Sequence, residues 1–396
     1  VKQHFRPYKS LFFLIVAISL LLHSCTSTDD YTPTNGQILQ EAFGNRIDLN
    51  AVINYRNTQI PDYINFKNQG NRIENRKALL GRVLFYDKNL SIDNSVSCAS
   101  CHQQQHAFSD TNTGSIGVNG TTPRHSMRLI NVAFQQGNNY FWDERANSLE
   151  SQVIQPIKDH IEMGYSNQNG GLPFESLLEK LNNTSYYPIL THHGFNESVI
   201  TEEHLIDALA NFVRSIQSFD SKYDQAVQAD GTIIGPFSNF TPSENRGAFL
   251  FNTRKQNGGA GCVDCHKAPE FAIKDNIHNN GVIASLIDPT VLDHNNTRSP
   301  TLRDLFNSEG ILNTPLMHNG SMTTAMQMIE HYNAISMENQ ILLDPLLFDS
   351  VGPNGPVGQQ LNLNNTDKQA LIDFLKTLSG ENLYTDPKWS NPFISN

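Results

Sequence analysis

Two stretches of this 396-residue chain repeat one pattern: Cys98-Ala-Ser-Cys101-His102 and Cys262-Val-Asp-Cys265-His266. Cys-x-x-Cys-His is the attachment pattern of c-type haem. Two thiols three positions apart can form thioethers to the two vinyl groups of one porphyrin, and the adjacent histidine reaches the iron as proximal ligand. One match alone could be accidental, or half of a zinc site. Here two complete matches use four of the five cysteines and leave only Cys25. That accounting points to two covalently bound haems. It makes Cys98, Cys101, His102, Cys262, Cys265 and His266 the cofactor-binding set, with His102 and His266 on the irons.

The rest of the composition is that of an ordinary globular protein, with 17% charged and 38% hydrophobic residues. A net charge of -11 and the lack of a basic run argue against a nucleic-acid partner. The first 25 residues read as a targeting segment. Lys2, Arg6 and Lys9 precede an apolar run from Leu11 to Leu22, which is too short for a comfortable membrane span. The run ends in Leu22-His23-Ser24-Cys25, which resembles a bacterial lipobox apart from the unusual His23. Cys25 is therefore the expected lipidation site, and the mature chain is expected in the periplasm, anchored to the cell envelope by lipid. A plain secretory peptide with a stray cysteine is the alternative.

Elements that would hold the two motifs are mostly helical. Residues 76–85 read as a helix just before the first motif. Residues 201–219 form the clearest one, with Leu205, Leu209, Phe212, Val213 and Ile216 on one face and Thr201 as cap. Thr241-Pro242-Ser243-Glu244 is a capping box with proline at the first helical position, leading into the second motif. Residues 323–332 and 366–378 also read as helices, the latter with a Thr366…Gln369 box. Stretches rich in Gly, Asn, Pro and Ser at 110–125, 164–173, 228–242 and 350–364 read as loops. The expected fold is mainly α and loop-rich: two cytochrome c-like haem domains, with the haems toward the domain interface. The division is 1–25 leader, 26–40 polar tether, 41–225 first haem domain, 226–385 second haem domain and 386–396 tail. No detailed internal repeat is visible between the halves.

Further motifs give the reading its chemistry. Phe141-Trp142-Asp143-Glu144-Arg145-Ala146, then Pro156-Ile157-Lys158-Asp159-His160-Ile161-Glu162-Met163, then Ser299-Pro300-Thr301-Leu302-Arg303 and Met317-His318-Asn319-Gly320 follow one another in order. Over about residues 75–380 the chain resembles the bacterial di-haem cytochrome c peroxidases. These include the related enzyme that matures the tryptophan tryptophylquinone cofactor of methylamine dehydrogenase. The resemblance implies that the first haem is peroxidatic and the second an electron-transfer centre. It implies that Glu162 is the catalytic carboxylate, moving a proton between the peroxide oxygens, and that Trp142 lies between the haems as an electron relay. On the residues alone, Glu162 could be a solvated glutamate and Trp142 a core aromatic. Many family members carry a distal histidine in a Ser-Ile-Gly-His run. Here the run reads Ser115-Ile116-Gly117-Val118. Valine cannot ligate iron, so the first haem is expected to be open when fully ferric, unless His106 or His125 substitutes.

For the second haem, the resemblance puts a methionine ligand 14 residues after the histidine of the His-Asn-Gly motif. Counting from His318 gives Tyr332. The quinone-forming relative has tyrosine there. Tyrosinate stabilises ferric iron and lowers the potential, whereas methionine raises it. Met317, Met322, Met326, Met328 and Met337 are nearby alternatives, and the absence of a strong protein ligand is a third. The family also holds calcium between its haems through an asparagine after an arginine and two backbone carbonyls. Here Arg124 is followed by His125, a poor calcium donor, with Asn313 and Pro315 at the carbonyl positions. Calcium therefore has no support in the sequence. The implied function is reduction of hydrogen peroxide with electrons from a small c-type cytochrome or cupredoxin. Oxidation of a protein or organic substrate and plain electron transfer are the alternatives. A homodimer is left open.

Overall fold

The computed structural model describes residue 1 and residues 32–56, 60–64, 72–134, 137, 139–272, 278–288, 290–353 and 355–394. The leader, with Cys25, lies outside the described residues. In chain order the helices are α1 (Asn35–Phe43), α2 (Asn75–Tyr86), α3 (Cys98–Cys101), α4 (Leu149–Val153), α5 (Gln155–Lys158), α6 (Phe174–Asn182) and α7 (Tyr186–Phe195). They continue with α8 (Glu202–Ser215), α9 (Lys222–Asp230), α10 (Pro242–Asn252), α11 (Ala325–Asn333), α12 (Asn365–Lys376) and α13 (Asn382–Thr385). Two antiparallel hairpins complete the described elements: β1 (Ile116–Gly117) with β2 (Gly120–Thr121), and β3 (Phe348–Gly352) with β4 (Gly355–Gly358). Long irregular segments connect them, so the chain is mainly helical and loop-rich.

Local sequence accounts for the helices that matter. Thr201 caps α8 by accepting from His204 N at 3.2 Å, and the Glu202, Glu203 and Arg214 charges suit the two ends of its dipole. The helix stops at Ser215, short of the expected residue 219, because Ile216 takes an extended backbone. The Thr241–Glu244 box opens α10 as the sequence indicates. On α12 the cap is Asn364, accepting from Asp367 N, and not Thr366 with Gln369. On α11 it is Thr324, one residue later than the 323–332 reading.

Although no detailed repeat is visible in the sequence, the chain contains an internal structural duplication. Helix α2 crosses α8, and α10 crosses α12. At the first crossing a Cβ on Gly81 would stand 1.9 Å from Ala208 O; at the second, a Cβ on Gly247 would stand 1.9 Å from Ala370 O. Only glycine permits either approach. Phe85 meets Phe212 at 5.1 Å between ring centroids and Phe108 at 6.0 Å. Phe251 meets Phe374 at 5.2 Å and Phe271 at 5.7 Å. Asn131 and Asp304 both take positive φ, and their amides donate to Ile216 O at 3.0 Å and Leu378 O at 3.2 Å. Each buried leucine or phenylalanine of these crossings contributes roughly 1.5–3 kcal/mol.

Two cores result. One gathers residues from Phe43 to Ile216, together with Leu383 and Trp389 from the end of the chain. The other runs from Tyr223 to Leu378. The chain end thus returns to the first core, where Trp389 donates through Nε1 to Ser215 O at 3.0 Å.

Candidate active site

The first motif begins on α3, one turn held by a reciprocal Ser97–Ser100 cap. His102 follows at the end of the turn. Ala107 and Phe108 both take positive φ and bring the Phe108 carbonyl to His102 Nδ1 at 2.9 Å. A carbonyl can only accept, so Nδ1 carries the proton and Nε2 keeps its lone pair, which is the state an iron ligand needs. The second motif repeats the device: His266 Nδ1 donates to Phe271 O at 3.0 Å, with Phe271 again at positive φ. None of Cys98, Cys101, Cys262 and Cys265 is paired in a disulfide. Burial pushes Cys98 and Cys262 up to about 12 and Cys101 and Cys265 up to about 11.

Glu162 lies on the first motif's side, close enough to Cys98 and Cys101 for its charge to raise both thiols. Its backbone is fixed because Asp159 Oδ1 accepts from Ile161 N at 2.8 Å and Glu162 N at 2.9 Å. Burial, and then the like charge of Asp159, push its carboxyl up to about 7. The loop with Val118 is bound directly to this segment: Val118 N donates to Glu162 O at 3.1 Å and Asn119 N to Ile161 O at 3.2 Å. Gly117 is required there, since a Cβ would fall 2.1 Å from Ile161 O. His125 is already engaged, with Nδ1 to Asn112 O at 2.9 Å and Nε2 to Ser109 Oγ at 3.1 Å.

Beside the second motif is a cavity whose walls include His266, Met317, His318, Met328, Tyr332 and Trp142. Of the methionines near Tyr332 in sequence, Met317 and Met328 line it. Met322 and Met326 pack on the second core. Asn280 reaches both leading ligand candidates: its Nδ2 donates to Tyr332 Oη at 3.1 Å and contacts Met317 Sδ at 3.7 Å. Val282 N donates to Asn280 Oδ1 at 3.1 Å, which fixes the amide in this orientation. Burial pushes the Tyr332 phenol up to about 12, and the Asn280 bond opposes the rise.

Of the segment that joins the two sites, residues 125–128, sequence reasoning singled out only His125. Ser126 Oγ donates to Cys101 O at 2.8 Å, while His125, Ser126, Met127 and Arg128 all line the second cavity. Trp142 Nε1 donates to His125 O at 2.7 Å, and the indole stands edge-on to His318 at 6.1 Å. Trp142 is thereby pinned between the segment leaving the first motif and the wall of the second cavity. Its backbone carbonyl accepts from Arg298 N at 2.7 Å, and Arg298 pairs with Glu144.

The residues fit two c-type haems. Besides four cysteines outside any disulfide and two oriented histidines, buried polar groups around the sites lack protein partners: the donors Arg124 Nη1 and Arg128 Nε, and the His318 ring. Buried donors of this kind call for acceptors, and porphyrin propionates would supply them. At the position where the family's calcium-donating asparagine stands, His125 is held by Asn112 and Ser109, and Arg124 pairs with Asp293 at 2.9 Å.

A duplicated helical scaffold with one Cys-x-x-Cys-His motif per copy, and a tryptophan between them, is consistent with a di-haem c-type protein. Residues 75–232 match the family model described as di-haem cytochrome c peroxidase. The chain is 27% identical over 312 residues to the methylamine utilization protein MauG of Methylophilus methylotrophus, covering 77% of this chain and 82% of that one. It is 25% identical over 315 residues to the cytochrome c551 peroxidase of Nitrosomonas europaea, covering 77% and 80%. A crystal structure of a MauG-like protein associated with microbial copper homeostasis superposes with a TM-score of 0.68 at 27% identity, covering 85% of this chain and 99% of that one. The chain is similar to the di-haem cytochrome c peroxidase/MauG family, by the family model over residues 75–232 and by distant relatives along most of its length.

Proposed function

We propose that the protein reduces hydrogen peroxide to water with two electrons from a small c-type cytochrome or cupredoxin. Bound c-type haem supplies the iron that takes peroxide and stores oxidising equivalents. Glu162 carries the reading. A half-buried carboxyl at about 7, beside the first motif, can accept the proton of the peroxide oxygen nearer the iron and deliver it to the leaving oxygen. Val118, adjoining Glu162, offers no ligand to compete with peroxide. Trp142, hydrogen-bonded to His125 and edge-on to His318, provides an electron step between the two centres.

A second reading, oxidation of a protein or organic substrate, is favoured by one observation. Tyr332 lines the second cavity with its hydroxyl on Asn280. As a tyrosinate ligand it would hold the second iron at low potential and so favour storage of oxidising equivalents over electron entry. Export and lipidation at Cys25 belong to the proposal and rest on the leader sequence. Mass spectrometry of the mature N-terminus checks them.

The test is stopped-flow mixing of fully ferric, fully haem-loaded protein with hydrogen peroxide and no reductant. A fast Soret change is expected. No change until one electron is supplied would mean that the first iron is capped and the reading of Val118 is wrong. Steady turnover with a reduced cytochrome or cupredoxin then separates the peroxidase reading from the second one.

A further inference from the structure

The first half contains a buried group with no counterpart in the second. Asp87 ends α2, and its Oδ2 accepts from two consecutive phenols of α7, Tyr186 Oη at 2.6 Å and Tyr187 Oη at 2.6 Å. The two rings are 4.8 Å apart. Asp87 Oδ1 is fixed by Asn89 N at 2.8 Å, and Asn89 Nδ2 also donates to Tyr186 Oη at 3.2 Å. Tyr187 is fully buried and lies near enough to Cys98 to feel its charge; Cys98 itself packs on this core. Tyr186 is half-buried, leaning on Phe43 and Phe393. At the corresponding end of α10 stand Asn252 and Thr253, neither of which brings a carboxylate or a phenol.

A phenol that loses an electron becomes a strong acid, so its oxidation is easy only where a base already holds its proton. Stability alone does not ask for two tyrosines on one carboxylate oxygen. We propose that Tyr187, Asp87 and Tyr186 form a proton-coupled exit route for oxidising equivalents from the first haem to the protein surface. The proposal rests on the peroxide reading, because hydrogen peroxide is the oxidant. Once peroxide has oxidised the first haem site, Tyr187 gives it one electron and passes its phenolic proton to Asp87. Tyr186 then gives one electron to the Tyr187 radical. Asp87 returns the first proton to the Tyr187 oxygen and takes the proton of Tyr186. The net change is one oxidising equivalent moved outward, with Tyr187 restored. A small one-electron reductant, such as a phenol, then gives one electron to the Tyr186 radical at the surface, Asp87 returns its proton to the Tyr186 oxygen, and the reductant's own proton leaves to solvent.

The experiment uses full-length, haem-loaded protein given one equivalent of hydrogen peroxide without donor protein. It is followed by absorbance and by freeze-quench electron paramagnetic resonance, with tyrosine of natural and ring-deuterated composition. The wild type should show a radical signal that narrows on deuteration. Tyr187→Phe should remove most of that signal and prolong the oxidised absorbance about tenfold, equivalent to ~1.4 kcal/mol in barrier. Tyr186→Phe should retain a radical on Tyr187 and slow its decay. Spin-trap mass spectrometry of the wild type needs no variant and should find the adduct on Tyr186, and not on the other half-buried tyrosines Tyr63, Tyr86, Tyr332 and Tyr384. If the wild type changes its absorbance with peroxide but shows no tyrosyl signal and no adduct, this route is wrong while the peroxide reading stands. If peroxide changes nothing in the wild type even after one electron is supplied, both fall.

Discussion

Replacing Glu162 with Gln keeps the side chain's size and removes its capacity to take and return a proton. Glu162 titrates at about 7, so near neutral pH its acid and base forms are both populated, the condition under which a two-way proton carrier works best. Positioned proton transfer is worth roughly 10²–10⁴ in rate, and the raised value places Glu162 toward the upper end, about 4–5 kcal/mol of barrier. In the wild type, the second-order rate with peroxide should rise about tenfold per pH unit up to about 7 and then level off, since the base form is the one that accepts the proton. In E162Q the profile should be low and flat. Stability gives an independent check. The folded carboxyl sits above its ordinary value of 4.5, so the folded chain binds more protons than the unfolded chain between 4.5 and about 7. Wild-type stability therefore falls as pH rises through that window. The loss is at most ~3 kcal/mol, which solvent contact at this half-buried side chain lowers to about 1. The melting temperature of E162Q should accordingly gain on the wild type between pH 5 and pH 8. Stopped-flow absorbance measures the first effect and thermal melts the second. An E162Q rate within about tenfold of wild type, or a wild-type profile flat from pH 5 to 8, would refute the proton-carrier role.

Two further perturbations test other parts of the structure. Tyr332→Met should raise the midpoint potential of the second haem by on the order of 100 mV, a fraction of the roughly 0.8 V that axial ligands span; spectroelectrochemistry that shows no shift would remove Tyr332 from the iron. Gly247→Ala forces a methyl group to within 1.9 Å of Ala370 O, and Gly81→Ala does the same at Ala208 O. Each should cost about 1–3 kcal/mol or more, read as a fall in melting temperature, and unaltered melting would mean that the crossings are looser than drawn.

Much of the site was legible because haem attachment is written in contiguous residues. The spacing of Cys98, Cys101 and His102, and of Cys262, Cys265 and His266, is itself the chemistry. The capped amphipathic helices α8 and α10 were legible for a similar reason, since a cap and an apolar stripe are local signals. What escaped was non-local. The duplication rests on glycine–carbonyl approaches and phenylalanine clusters between helices more than 100 residues apart, while the sequences of the two halves have diverged around them. Helices α6, α7 and α9 were not singled out; α7 carries almost no amphipathic stripe because its apolar and polar residues are mixed around its surface. Segment 125–128 has no periodicity, and its importance comes from what it touches: Cys101 on one side and the second cavity on the other. The tyrosine pair gave no warning either, since the Asp87 that unites it lies 99 and 100 residues away.

The duplication also says where the functional asymmetry must lie. On the proximal side both centres are built alike, with a glycine-mediated crossing, a phenylalanine cluster and a histidine whose Nδ1 is held by a phenylalanine carbonyl. Proximal ligation therefore cannot be what distinguishes them. Their differences lie in other neighbours: Val118 bound to the Glu162 segment on the first motif's side, and Tyr332 and Met317 on one Asn280 amide beside the second. A side chain that cannot bind iron leaves room for peroxide, whereas a phenol or thioether aimed into the cavity closes it. On the proposed function, divergence at these positions over a preserved scaffold would let one ancestral module supply both an open centre and a closed one. Trp142 is braced by backbone bonds to His125 and Arg298, one from each copy, so any change that separates the two modules must also move the residue placed between them.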